Sequence, residues 1–225
     1  APTTGAAATK QTALRGLPAS GLAPALAVDA AGKVIAVVAD QAAIHRIDVL
    51  AGTELASVPA SGVVALAQTR DGGQLAAALC EGEGCEVVLW DPRGGEPRRL
   101  SAPQVTRLAF APGGERLAAA DASGGVRVWS LPGGEVIELR PEVAGPPAAD
   151  LQVSDDAAWV ATIACADAAC SSGASVLHLW SAITGTKRLC PISGVPGSRP
   201  GIADHRCSTL AGRSFTASEW SRFVG

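Results

Sequence analysis

Six cysteines are the residues of this chain best placed to do covalent chemistry. Cys80 and Cys85 bracket the four residues EGEG, and Cys165 and Cys170 bracket ADAA. Both pairs lie between apolar segments of strand type. A hairpin there sets the two cysteines opposite each other, within reach of a disulfide. Cys190 and Cys207 could tie the C-terminal segment to the last apolar block. The even count fits three bridges and an oxidising compartment; the other reading is reduced thiols in surface loops of a cytoplasmic protein. The Cys-x4-Cys spacing is wider than the usual zinc knuckle, so no metal site is expected.

The histidines are weaker candidates. His45 and His178 stand two residues before Ile47 and Trp180, and Val88 and Arg127 hold that place elsewhere in the chain. A place filled by His, Val and Arg alike reads as packing rather than as a catalytic base. His205 lies in ADHRC with an Asp and a Cys. Catalytic partners must converge in space, which loop neighbours rarely do. The chain has no Gly-x-Ser-x-Gly elbow, Gly-x-x-x-x-Gly-Lys loop or His-Glu-x-x-His helix. We therefore expect no catalytic, cofactor-binding or metal-ligating residue, no cofactor, and no enzymatic activity. Asp29, Asp71, Asp121 and Asp155 fall in turns. They are candidate contacts for a basic partner, or simply solvated turn residues.

Composition narrows the class. The chain has 225 residues, 48% hydrophobic and 17% charged, so a packed core is expected. A net charge of -3, with Lys and Arg scattered, argues against nucleic-acid binding. No apolar run is long enough to span a bilayer. The first residues, APTTGAAATKQ, do not form a signal peptide. The sequence contains no Met, so it was processed or is part of a longer protein. Richness in Ala, Gly, Arg and Pro suggests a bacterial source of high GC content.

What must position these residues is a repeat. CEVVLWDPRGGEPRRL at 85–100, GGVRVWSLPGGEVIEL at 124–139 and ASVLHLWSAITGTKRL at 174–189 share one pattern. A fourth copy, without a Trp, occupies 24–58. Each copy holds four short strand-type segments, the third ending at Ile47, Trp90, Trp129 or Trp180. Those four residues are the expected repeat-defining core. The spacing of about 40 residues is that of a propeller blade, which buries both faces only between neighbours.

With VLWD at 88–91 as the nearest motif, the chain resembles WD-repeat β-propellers. No Gly-His pair opens any repeat, so the hydrogen-bonded Trp network of that family is expected to be incomplete. The resemblance implies an all-β propeller of about four complete blades plus a partial N-terminal strand, possibly part of a larger propeller. Residues 1–20 read as the final strand of an upstream or closing blade. Blades are expected at about 21–60, 61–101, 102–141 and 142–193. Residues 194–225 read as a linker and a short helix capped by Thr216 and Glu219. AGRSFTASEW at 211–220 resembles a tail that follows the propellers of multidomain bacterial signalling ATPases. That resemblance implies a scaffold or sensor whose partner is another protein or the missing upstream half of the propeller. The alternative is an extracellular, disulfide-stapled propeller that binds a glycan or small ligand, or acts as a hydrolase. The setting is cytoplasmic on the first reading, and extracellular or periplasmic if the cysteine pairs are oxidised.

Overall fold

The computed structural model describes residues 25–28, 32–82, 84–91, 94–131, 133–141, 144–165, 175–185 and 187–192. The expectations placed on residues 1–20, on Asp29, on Cys170 and Cys207, and on the capped tail helix fall outside these residues.

Every regular element described is a β-strand. The strands are β1 (Ala25–Val28), β2 (Val34–Ala39), β3 (Ala43–Asp48), β4 (Thr53–Pro59), β5 (Val63–Gln68), β6 (Leu75–Glu81), β7 (Gly84–Trp90) and β8 (Arg98–Pro103). They continue with β9 (Val105–Phe110), β10 (Arg116–Asp121), β11 (Val126–Ser130), β12 (Val136–Leu139), β13 (Asp150–Val153), β14 (Trp159–Cys165), β15 (Ser175–Ser181) and β16 (Lys187–Ile192). They form four separate antiparallel meanders: β1 to β4, β5 to β8, β9 to β12 and β13 to β16. The first strands are neighbours in series, β5 lying between β1 and β9, and β9 reaching β13. Four meanders that meet at their first strands are four blades of a β-propeller.

The second strand of each blade explains the Ala-rich runs. In β10, Leu117 and Ala119 face blade 2, while Ala118 and Ala120 face blade 4. In β6, Ala76 and Ala78 face blade 3, while Leu75 and Ala77 face blade 1. Side chains alternate across a strand, so a run apolar at every position is buried on both faces. Small side chains there let two sheets approach.

The tryptophans point toward the preceding blade. Trp129 packs against the blade 2 residues Val87, Leu89 and Leu100, and Trp180 packs among residues of blade 3. Both are fully buried; Trp90, against the core between blades 1 and 2, is only half-buried. Of the Trp network expected to be incomplete, blade 4 has one bond: the Trp180 Nε1–H donates to Thr162 Oγ1 at 3.4 Å.

The residue after each of these positions builds the next turn. Asp48 Oδ1 accepts from the Leu50 and Ala51 amides, and Ser181 Oγ from those of Ile183 and Thr184. Such side-chain bonds to the backbone replace ladder bonds where a strand ends.

Candidate recognition surface

Strand direction alternates within a blade, so its turns divide between two ends. One end carries the turns from first to second and from third to fourth strands. The other carries the hairpins from second to third strands and the crossovers between blades.

At the first end, Asp71 is committed to its own turn. Its Oδ1 accepts from Thr69 Oγ1 at 2.6 Å and from the Gly73 amide at 2.9 Å. Blade 4 repeats this network, but with Asp156: Ser154 Oγ donates to it at 2.6 Å and the Ala158 amide at 3.0 Å. Asp155 is the exposed residue at the place held by Arg70 in blade 2. The pattern Ser/Thr-x-Asp was readable at 69–71 and 154–156, and distinguishes the two aspartates.

Asp121 lies at the other end. It accepts from the Ser123 amide, Ser123 Oγ and the Gly125 amide, closing the β10–β11 turn. The structure therefore does not bring Asp71, Asp121 and Asp155 onto one surface. Asp71 and Asp155 share an end and Asp121 does not.

The disulfide is also at the second end. Cys80 and Cys85 face each other across the β6–β7 ladder, Cα to Cα 4.1 Å, and are joined. Glu81 pairs with Gly84, leaving a two-residue turn in which Gly82 has φ 62°. In such a hairpin the pair next to the closing pair makes no mutual backbone bonds and sits closest together. The Cys80 amide accordingly turns outward, donating to Gly62 O at 2.8 Å. Cys165, at the same place in blade 4, is also disulfide-bonded. The expected bridges to Cys170, and from Cys190 to Cys207, rest on residues outside the described set.

Beside Asp121 is a small cleft of about 20 Å³, lined by Pro103, Val105, Asp121, Arg127, Glu138 and Arg140 among others. That is room for about one water. Glu138 accepts from Arg127 at 2.5 Å and from Arg140 at 2.8 Å. Arg140 first, and Arg127 with it, hold the Glu138 carboxyl below its usual range. Arg127 also donates to Ser101 O of blade 2, bracing two blades. Between the lining residues Pro103 and Val105 stands Gln104, whose φ of 29° is rare for a residue with a side chain.

The first strands carry exposed polar residues along the propeller axis: Arg107 on β9, and Asp150 and Gln152 on β13. Arg107 Nε donates to Ala149 O of the next blade at 3.1 Å. Composition and repeat pattern had not singled out these three. A polar residue in an otherwise apolar first strand is the signal that marks them.

The two histidines differ. His178 stands edge-on to Trp180, ring centroids 5.8 Å apart, as a packing residue does. His45 lies between two carboxylates, 3.2 Å from Asp40 Oδ2 and 3.1 Å from Glu54 Oε1. Among the described residues, no three His, Cys, Asp or Glu side chains are grouped to hold a metal ion. No described helix is long and apolar enough to cross a membrane.

Comparison with known proteins agrees on architecture. No family model matches the chain. No curated protein matches it significantly. Among solved structures it is similar to TolB from Acinetobacter baumannii, with TM-score 0.56 and 17% identity over 77% of this chain and 44% of that one. It is also similar to Kuenenia stuttgartiensis hydrazine synthase, with TM-score 0.57 and 14% identity over 73% of this chain and 48% of that one. Both are β-propeller proteins, and the chain spans less than half of either. At such identity the likeness concerns fold alone. The chain is an all-β protein of β-propeller class.

Proposed function

We propose that the chain is a non-catalytic recognition scaffold of WD-repeat kind, working in an oxidising compartment as part of a longer bacterial protein. The Cys80–Cys85 bridge carries this reading. A hairpin disulfide persists where thiols are not kept reduced, which favours a periplasmic or extracellular setting over the cytoplasm. The resemblance to signalling ATPases supports a sensor role, and the Cys80–Cys85 bridge favours a sensing side outside the cytoplasm. Recognition itself is supported by where the polar groups go. Asp48, Asp71, Asp121 and Asp156 accept hydrogen bonds within their own turns. The exposed Arg107, Asp150 and Gln152 stay along the axis, where a protein partner can reach polar side chains on a rigid frame.

The test uses the purified chain as bait, in non-reducing buffer, against secreted and periplasmic extracts of a high-GC bacterium. A partner kept by the wild type and lost by Arg107→Glu supports the reading. A partner kept equally by both moves recognition away from the axis. Multiple-turnover hydrolysis of a glycoside or ester by the wild-type chain, with no partner retained, would overturn it.

A further inference from the structure

We propose that His45 is a proton-controlled clasp in blade 1, holding the outer strand β4 to the β2–β3 turn while its ring is charged and loosening that strand when neutral. The proposal is independent of the recognition reading.

Both ring nitrogens face a carboxylate: Nε2 lies 3.2 Å from Asp40 Oδ2 and Nδ1 3.1 Å from Glu54 Oε1. Only imidazolium donates at both. A neutral ring donates at one and turns a lone pair toward the other carboxylate. Each carboxylate belongs to a different piece of the blade. Asp40 Oδ1 accepts from the Ala42 and Ala43 amides, both at 2.8 Å, so Asp40 is fixed to the turn. Glu54 stands near the start of β4, beside the register shift between Arg46 and Ile47.

The outer strand has little else to hold it. Apart from half-buried Val58, every residue of β4 is exposed, and Leu55 is 40% exposed. Among the described residues, its attachment to the blade rests on the β3 ladder and on this clasp. Among the described residues, Asp40 and Glu54 are the charged groups that face the ring. Arg46 and Asp48, also on β3, are engaged elsewhere: Arg46 with Gly72 O, Asp48 with Lys33 and its own turn.

Protonation follows this geometry. Partial burial pulls His45 down, but the hydrogen bonds with Glu54 and Asp40 outweigh it and the pKa is raised. The Ala42 and Ala43 amides, then His45, hold Asp40 below its ordinary value. A raised histidine contributes fully below its unfolded value of about 6.5, and its contribution is lost as pH rises through the folded value. A lowered aspartate contributes above its unfolded value, and its contribution is lost as pH falls through the folded one. The clasp is therefore closed in mildly acidic solution and opens first on the alkaline side.

The experiment is NMR on the full chain. The His45 ring signal is the one missing from His45→Gln, and it is followed across pH in wild type and in Glu54→Gln, an exposed change that leaves the core intact. Amide exchange of Thr53–Val58 is measured relative to Val136–Leu139 in β12, which cancels the base catalysis shared by both strands. We expect the wild-type signal to titrate above the ordinary imidazole value and to move down in Glu54→Gln. The β4 to β12 exchange ratio should rise about fivefold from pH 6 to pH 8.5 in wild type, the scale of one charge-assisted bond near the surface. In Glu54→Gln it should already be high at pH 6 and stay flat. A His45 signal at or below the ordinary value, or a flat ratio in wild type, overturns the proposal.

Discussion

Trp129 in blade 3 and Ile47 in blade 1 occupy one place in the repeat, and each is 2% exposed. The blades around them are built differently. Blade 3 has described blades on both sides, and its outer strand ends in buried Leu139. Blade 1 has an outer strand in contact with solvent along nearly its whole length, and polar ties: Lys33 to Asp48, and His45 to Asp40 and Glu54. Blade 3 has polar ties as well, Glu138 to Arg127 and Arg140, but its large aromatic fills the gap between blades and adds apolar burial to them. Where a smaller Ile takes its place, charge and hydrogen bonds hold the periphery, and these respond to pH and salt.

The largest effect expected from this contrast is at the core. Trp129→Ala should lower stability by about 3–5 kcal/mol, and Ile47→Val by about 1 kcal/mol, read as shifts of the urea midpoint. Equal shifts would mean that blade 3 does not rely on its aromatic more than blade 1 relies on its aliphatic. Next is the bridge that neither of these blades has. Replacing Cys80 and Cys85 together with Ser should cost about 2 kcal/mol, because the closed loop is short. Mass spectrometry after alkylation of the unfolded, unreduced chain checks the premise. Alkylation at Cys80 or Cys85 would remove the bridge and, with it, the case for an oxidising compartment.

Much of this was legible because the repeat is written in the core. The Trp positions and the Ala-rich second strands follow from burial on both faces of a sheet, which imposes a pattern on every blade. The Cys80–Cys85 bridge was legible as one of two readings because a hairpin over EGEG sets the two cysteines opposite each other; that Glu81 and Gly84 pair and leave a two-residue turn was not. The acidic turns were not sorted correctly by position alone. Asp121 resembles Asp71 in composition, yet a strand of six residues carries the chain to the opposite end of the blade. Asp155 and Asp156 are adjacent, and only the hydroxyl of Ser154 selects between them. The setting of His45 stayed hidden for a similar reason. Its partners are five residues before and nine residues after it, brought together by two successive turns rather than by any local motif.

Blades 2 and 4 provide a smaller test at their matching turns. Asp71→Ala and Asp156→Ala should each cost about 1 kcal/mol, the loss of hydrogen bonds within a turn. Asp155→Ala should stay within about 0.5 kcal/mol of wild type, as a surface change without such a role. If the three substitutions have equal effects, the shared Ser/Thr-x-Asp network does not hold these turns.

The smallest expected effect compares the crossovers into blades 2 and 3. Gly62 and Gln104 hold the same place just before a first strand, and each carbonyl accepts from an amide at the end of the second strand of that blade, Cys80 within β6 and Ala122 just past β10. Gly62 has φ 66°, and a Cβ there would lie 2.5 Å from Cys80 O. Gln104 adopts φ 29° with its side chain in place. Gly62→Ala must therefore displace backbone next to the disulfide, whereas Gln104→Gly relieves strain without removing a buried group. Thermal unfolding should show the first destabilised by more than about 1 kcal/mol and the second stabilised by about 0.5 kcal/mol. A destabilised Gln104→Gly would show that the Gln side chain holds the crossover between blades 2 and 3, and that the two crossovers keep their shape by different means.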